Sequence, residues 1–226
     1  MLFSIIIPCY NEQNTIKTII TKVTSIDINK EIIIVDDCSN DNSKNILEGF
    51  SEDFKKKNKI IFHKKNLGKG AAIKTGLSYV SGDVVIIQDA DLEYDPTDYP
   101  RLIEPFLLKN ADAVYGSRFV GYGSKKVLLF WHTIANKILT LLCNIKTNLN
   151  LTDMECGYKL FKTSLIKKID LKEKSFGFEP EVTIKLAKLK ANIYEVGVNY
   201  HGRSYAEGKK ITIRDAFRVL YCLIRY

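Results

Sequence analysis

The sequence predicts an α/β protein in which helices cover both faces of a mostly parallel β-sheet. Short apolar segments alternate with helical segments from residue 3 to residue 116. The apolar segments are hydrophobic throughout rather than at every second position, which is typical of strands buried on both faces. A chain of 226 residues that is 46% hydrophobic suits a single globular domain and excludes disordered and low-complexity classes.

The first half of the chain has the most regular pattern. Strands are expected at residues 3–8, 31–36, 59–63, 83–88 and 113–116, where short runs rich in Ile and Val end close to Pro, Asp or Gly. Helices are expected between them, at residues 11–25, 43–57, 68–79 and 97–109. The first of these carries Ile16, Ile19, Ile20 and Val23 at helical spacing, which indicates one buried face.

The second half is less regular. We expect a helix at 127–145, a loop at 146–156, a strand at 157–161, a helix at 179–190, a strand at 193–199, a basic loop at 201–210 and a final helix. His132, Asn136, Thr140 and Asn144 fall four residues apart and form one polar stripe along the first of these helices. This stripe predicts an amphipathic helix, buried or lying at the surface, rather than a transmembrane span. The final helix places Arg214, Arg218 and Arg225 beside apolar residues, which leaves open a basic face on anionic lipid or packing on the domain.

The net charge indicates which classes of partner to expect, and the cysteines indicate the cellular compartment. The net charge of +8 favours anionic partners such as nucleic acid, acidic lipid or phosphorylated small molecules. No RNA-binding, zinc or helix-turn-helix signature is present, so we do not expect nucleic-acid binding. The five cysteines form no CxxC pair and no signal peptide is recognisable, which favours a reduced, cytoplasmic protein. Walker and Rossmann glycine motifs are absent.

Acidic residues follow several predicted strands. Because parallel sheets bind ligands at the carboxyl ends of their strands, these residues are expected to gather at one edge. Asp89 and Asp91 are the clearest case, since residues i and i+2 of an extended chain point to the same side. Mg²⁺ binds one or two carboxylates together with substrate phosphates, so this pair is a candidate metal site. Each cluster alone is equally well explained by the preference of Asp for turns.

Two further loops are candidates for phosphate contacts. Gly68 and Gly70 open a helix and could cradle a phosphate, although a tight loop explains them better. The segment 202–210 carries Arg203, Lys209 and Lys210 between glycines. It could form a cationic lid over a departing diphosphate, and a solvated surface loop explains it equally well.

Several motifs together resemble family 2 glycosyltransferases. They are Ile5-Ile-Ile-Pro-Cys-Tyr-Asn-Glu12, Val35-Asp-Asp-Cys-Ser-Asn-Asp41, Asn66-Leu-Gly-Lys-Gly70 and Gln88-Asp-Ala-Asp-Leu-Glu93. Gly116-Ser-Arg-Phe119, Asp153 with Gly157-Tyr-Lys-Leu-Phe161, and the segment 202–210 narrow the resemblance to dolichyl- and polyprenyl-phosphate sugar transferases. The resemblance implies a GT-A fold in a single domain at 1–226, with a nucleotide-sugar-binding half at 1–118 and an acceptor-side half at 119–226.

The resemblance also implies roles for individual residues. Donor binding would fall to Pro8, Tyr10, Glu12, Asp37, Lys69, Gln88, Asp89 and Lys209. Mg²⁺ or Mn²⁺ would be held by Asp89, Asp91 and Glu93, whereas Asp153, Arg118 and Arg203 would be the catalytic or acceptor-side residues. His201 is expected to be a loop histidine rather than a metal ligand.

The implied reaction is an inverting, metal-dependent transfer of a sugar from a UDP- or GDP-linked donor to a polyprenyl phosphate. The protein would then be peripheral at the cytoplasmic membrane face, without a transmembrane helix. Two alternatives stay open: transfer to a hydroxyl group of a glycan or small molecule, with Asp153 as the base, and a non-catalytic nucleotide-sugar-binding protein. The sequence indicates neither the sugar nor the oligomeric state.

Overall fold

The computed structural model describes residues 1–121, 127, 129–175, 177–202 and 213–226. The strands are β1 Phe3–Cys9, β2 Lys30–Asp36, β3 Lys59–Phe62, β4 Val84–Ile87, β5 Ala113–Ser117, β6 Lys159–Lys162 and β7 Ile193–Gly197. The helices are α1 Ile16–Ser25, α2 Ser43–Glu48, α3 Glu52–Lys57, α4 Lys69–Leu77, α5 Tyr99–Leu108, α6 Phe130–Thr147, α7 Thr163–Ile166, α8 Phe178–Lys188 and α9 Ile213–Arg225.

The seven strands found in the described residues form one sheet in the order β3-β2-β1-β4-β6-β5-β7. All pairings are parallel except those of β6, which runs antiparallel to both β4 and β5. The predicted mostly parallel α/β architecture is therefore confirmed. The reversal of β6 is not visible in its sequence, because a strand with two paired neighbours has the same apolar pattern in either direction.

Both faces of the sheet are buried, as the uninterrupted apolar runs predict. Ile6 and Ile33 point into one hydrophobic core, while Ile5, Ile7 and Ile32 point into the core on the opposite face. This alternation is the two-residue period of a strand. The two cores fix the sheet between its helical layers, and its edge provides a rigid support for the loops that follow the strands.

Several predicted elements differ in their bounds from the structure; the helix expected at 11–25, for example, begins only at Ile16. The helix expected at 43–57 is divided into α2 and α3, because Gly49 ends the first and Ser51 caps the second by accepting a hydrogen bond from the Phe54 amide. The strand expected at 157–161 begins later, at Lys159, since Gly157 lies in the turn before it.

Helix α6 is amphipathic, as predicted, but its polar stripe faces the protein. Asn136 donates to Asp153, Thr140 accepts from the Met154 amide, and Asn144 makes two bonds with the Leu151 backbone. Large apolar side chains on the opposite face are exposed. The inner side of α6 is mixed, since Leu139 and Cys143 join the hydrophobic core beside these polar residues. The exposed apolar side is unusual, because a helix of a globular domain usually turns its large apolar side chains inward. Within the described residues, no helix is long and apolar enough to cross a membrane.

Candidate functional site

A cavity of about 390 Å³ opens at the carboxyl edge of the parallel strands. We call it the edge cavity. The loops after β1, β2, β3, β4, β5 and β7 line it, together with the turn before β6, whose antiparallel direction brings its amino end to the same edge. It brings together nine of the predicted site residues, namely Pro8, Tyr10, Glu12, Asp37, Lys69, Asp89, Asp91, Glu93 and Arg118.

Asp89 and Asp91 both line the edge cavity directly after β4. Asp89 Oδ1 lies 2.8 Å from Lys69 Nζ, and Asp91 Oδ1 accepts a hydrogen bond from the Glu93 amide at 3.0 Å. A Cβ atom at Gly157 would lie only 2.2 Å from Asp89 Oδ2, so a glycine is needed there to make room for this carboxylate. Leu92 has a φ of 63°, an unusual conformation for leucine that tightens the turn.

Lys69 is the central cation of the edge cavity. Its ammonium group lies 2.8 Å from Asp89 and 3.2 Å from Glu179. Burial alone would lower the pKa of Lys69, but the two carboxylates outweigh burial and raise this pKa above its ordinary value. Lys69 therefore stays protonated and carries a fixed positive charge into the cavity.

The loop that presents Lys69 is fixed from two sides. Asp37 accepts hydrogen bonds from the amides of Leu67 and Gly68, and its Oδ1 contacts His63 Nδ1 at 2.6 Å. Asp37 thus anchors this loop in addition to lining the cavity.

The glycines of the loop permit close packing against the chain at 173–174. Gly68 has a φ of 94°, and a Cβ atom there would lie 2.3 Å from the Lys174 carbonyl oxygen. A Cβ atom at Gly70 would lie 2.4 Å from the Glu173 carbonyl oxygen. The tight-loop interpretation of these glycines is therefore confirmed, and their contribution is the position of Lys69.

Arg118 lines the edge cavity, while Asp153 lies behind it. Asp153 is fully buried, and its two carboxylate oxygens accept hydrogen bonds at 2.7 Å from Nε and Nη2 of Arg118. Asn136 of α6 donates to the same carboxylate at 3.2 Å. Asp153 is absent from the cavity wall, so this geometry favours holding Arg118 over the catalytic role expected for Asp153.

Gln88 also lies away from the cavity wall. Its side chain is fully buried, and its Oε1 accepts hydrogen bonds from the hydroxyls of Tyr99 and Tyr158. Its amide group donates to the Asp89 carbonyl oxygen at 3.1 Å. In place of the expected direct contact with a ligand, this geometry gives Gln88 a role in fixing the turn that carries Asp89 and Asp91.

Two acidic residues of the edge cavity, Glu155 and Glu179, were missed by the sequence analysis. Each has one buried carboxylate oxygen without a hydrogen-bond partner among the described residues. Burial, together with the nearby charge of Glu179, raises the pKa of Glu155 to about 8. Their only signal in the sequence is closeness to a motif already singled out; Glu155, for example, lies between Asp153 and Gly157. Spacing alone does not distinguish such an acidic residue from one at the protein surface.

Aromatic residues also line the edge cavity. Tyr200 donates a hydrogen bond to Glu93 Oε2 at 3.0 Å and lies under the Arg118 guanidinium, 5.2 Å from its central carbon. The Tyr94 hydroxyl accepts a hydrogen bond from the Gly157 amide at 3.1 Å. His201, as expected of a loop residue, is exposed, and its amide bonds to the Glu93 carbonyl oxygen. Arg203 and Lys209 lie outside the described residues.

Comparison with known protein families identifies the family to which this chain belongs. Residues 4–170 match the sequence profile of the family described as "Glycosyl transferase family 2". This chain belongs to glycosyl transferase family 2. The match extends from β1 through α7 and contains the paired aspartates, Lys69 and Arg118. Membership identifies the chain as a glycosyltransferase and goes against a non-catalytic binding protein.

Relatives within the family include polyprenyl-phosphate sugar transferases. The chain is 28% identical to the dolichol-phosphate mannosyltransferase of Pyrococcus furiosus, covering 100% of this chain and 64% of that protein. It is also 28% identical to the UDP-N-acetylglucosamine–dolichyl-phosphate N-acetylglucosaminyltransferase of Methanococcus voltae, over 99% of this chain and 95% of that protein. An uncharacterised protein of Methanocaldococcus jannaschii is 30% identical over 91% of this chain and 93% of its own length.

Solved structures with the same fold are GT-A glycosyltransferases. The glucosyl-3-phosphoglycerate synthase of Mycobacterium tuberculosis, in complex with Mn²⁺, UDP and phosphoglyceric acid, has a TM-score of 0.73. It is 20% identical, and the match covers 99% of this chain and 77% of that one. The similarity confirms the GT-A fold expected from the sequence.

Proposed function

We propose that this protein transfers a sugar from a UDP- or GDP-linked donor to a polyprenyl or dolichyl phosphate, with inversion at the anomeric carbon. The observation that carries the proposal is the edge cavity, where paired carboxylates and two fixed cations, Lys69 and Arg118, line a single space. Donor and acceptor both carry phosphate groups, so a site for their reaction needs cations on both sides. The names of the relatives from Pyrococcus and Methanococcus support the acceptor class.

The residues present fit a divalent ion. Among the described parts of the chain, no group of three or more His, Cys, Asp or Glu side chains forms a complete metal site. Mg²⁺ and Mn²⁺ need no such group when substrate phosphates supply the remaining oxygen ligands. Asp89 and Asp91 would hold the ion, with Glu93 beside them. When bound, it neutralises charge on the departing nucleoside diphosphate.

Different side chains would have different roles in the transfer reaction. Pro8, Tyr10, Glu12 and Asp37 would form the nucleoside side of the edge cavity, because they lie at the carboxyl ends of β1 and β2. Lys69 would stabilise negative charge as the bond to the diphosphate breaks, and Arg203 and Lys209 would add to this stabilisation. Arg118, held rigid by Asp153, would orient the acceptor phosphate for attack. A phosphomonoester has a second pKa near 6, so it is mostly dianionic at neutral pH and needs positioning more than a base.

Sugar transfer to a hydroxyl acceptor is the second candidate function. The buried carboxyl group of Glu155, which lines the edge cavity, favours it. A hydroxyl nucleophile requires a base, and the pKa of Glu155, raised to about 8 by burial, is close to the optimum for proton transfer near neutral pH. Asp153 fits this role less well, since Arg118 engages both of its oxygens.

The test is incubation with Mn²⁺ or Mg²⁺, labelled UDP- and GDP-sugars, and either a polyprenyl phosphate or a panel of hydroxyl acceptors. The proposal predicts a lipid-soluble labelled product. This product should decrease roughly 10²–10³-fold in Asp91→Asn, the loss typical of a removed electrostatic contact. Asp53→Asn on the exposed surface of α3 is the matched control and should retain activity. Transfer only to hydroxyl acceptors would favour the second candidate.

A further inference from the structure

The exposed face of α6 is a continuous apolar stripe. Five of its large side chains have exposed fractions between 52% and 76%, and they are Phe130, Trp131, Ile138, Leu141 and Ile145. Their spacing of three, four and seven residues places them on one side of the helix. The opposite side carries Asn136, Thr140 and Asn144, whose side chains bond to the chain at 151–154. We call the exposed stripe the α6 face.

We propose that the α6 face docks on an anionic lipid surface, with its apolar side chains among the acyl chains and the neighbouring Lys137 at the headgroups. This inference rests on the proposed function for the lipid nature of the acceptor. It goes further by naming the surface that would contact the membrane and by stating how this contact would orient the edge cavity.

The charge around the α6 face complements an anionic membrane. No Asp or Glu occurs in the sequence from residue 119 to residue 152. Within α6 the exposed Lys137 lies next to the apolar stripe, while the Lys146 ammonium donates to the carbonyl oxygens of Leu223 and Ile224. An exposed apolar helix face that contains Trp and Phe, has a lysine beside it and lacks acidic residues is typical of helices that lie in the membrane interface. A second copy of this chain fits less well, because a two-fold contact would bring like-charged faces together.

The location of α6 connects this surface to the site. Asn136, on the inner side of the helix, holds Asp153, and Asp153 holds Arg118 at the edge cavity. The same helix would therefore lie on the bilayer with one side and support the acceptor-side arginine with the other. A phosphate displayed at the membrane surface would lie close to Arg118 without leaving the lipid.

The experiment is co-sedimentation of the full chain with vesicles of phosphatidylcholine, with and without phosphatidylglycerol, in the absence of sugar donor. The test variant is Trp131→Ser combined with Ile145→Ser, two exposed positions whose loss leaves the core intact. The matched control is Leu107→Ser combined with Leu108→Ser, which removes equally exposed apolar side chains from α5. Circular dichroism checks that both variants are folded.

We expect the protein and the control to bind vesicles that contain phosphatidylglycerol, and the α6 variant to bind them about tenfold more weakly. High salt should weaken the binding. Failure of the unaltered protein to sediment, or equal binding by the α6 variant, would overturn the inference. So would a concentration-dependent dimer that the same variant abolishes, because the occupant would then be a second copy. Vesicle binding needs no turnover, so failure of the transferase reaction is a separate result.

Discussion

At the scale of single residues, the structure separates side chains that face the edge cavity from those that hold them. Asp89, Asp91 and Lys69 face it, whereas Gln88 and Asp153 lie behind and fix their neighbours. The distinction matters for mutagenesis, because removing a support affects the reaction only through the residue that it positions.

Arg118→Lys tests the acceptor role of the arginine. Lysine keeps the charge but cannot form the paired bonds to Asp153, so the cation loses its fixed direction. We expect kcat/KM for the polyprenyl phosphate to fall at least about tenfold, equivalent to ~1.4 kcal/mol, with donor affinity unchanged. Asp153→Asn should have an effect in the same direction. An equal loss of donor affinity in steady-state kinetics would contradict this assignment.

Glu155→Gln tests the buried carboxyl through the pH dependence of stability. The pKa of Glu155 rises on folding from an ordinary 4.5 to about 8, first because of burial and then because of Glu179. The folded state therefore binds more protons than the unfolded state between these values, and the free energy of unfolding falls as the pH rises through that window. We expect Glu155→Gln to flatten this fall in denaturant titrations at pH 5, 6.5 and 8. An unchanged slope would show that Glu155 is ionised at neutral pH.

At the scale of elements, the sequence predicts those helices and strands whose apolar residues follow a periodic or continuous pattern. Strands β1 to β5 and helices α1, α4 and α5 follow from apolar runs and helical spacing, because both sides of the sheet are buried. The direction of β6 depends on tertiary packing that the local pattern does not contain. The break between α2 and α3 does have local causes, Gly49 and the Ser51 cap, which helical spacing alone does not take into account. The stripe of α6 is visible in the sequence, but its inward orientation is not, since its partners at 151–154 lie in a loop.

The loop before α4 gives a prediction at this scale. In Gly68→Ala the new methyl group would meet the Lys174 carbonyl oxygen, and the backbone would be held at a positive φ. We expect a loss of about 1–3 kcal/mol in the free energy of unfolding and a displaced Lys69. Gly121→Ala is the matched control, because no atom lies within 4 Å of a Cβ atom there. Equal stability of the two variants in urea titrations would contradict the close packing of this loop.

At the scale of the whole molecule, the candidate site follows from topology. Loops from six strands and the turn before β6 meet at one edge, and the sequence indicates this meeting because acidic and polar residues recur at strand ends. Glu155 and Glu179 could not be found in this way, since they reach the edge cavity through β6 and α8, beyond the alternating part of the chain. Under the proposed docking, the exposed apolar face of α6 then sets how the molecule as a whole faces a lipid substrate.

The most direct test of the central claim is calorimetric titration of UDP and GDP into the protein, with and without Mn²⁺, alongside Asp91→Asn. The account predicts that one nucleotide binds, that Mn²⁺ tightens its binding at least about tenfold, and that Asp91→Asn abolishes this gain while Asp53→Asn retains it. Nucleotide binding that is indifferent both to Mn²⁺ and to Asp91 would contradict the claim that Asp89 and Asp91 hold a divalent ion against the diphosphate.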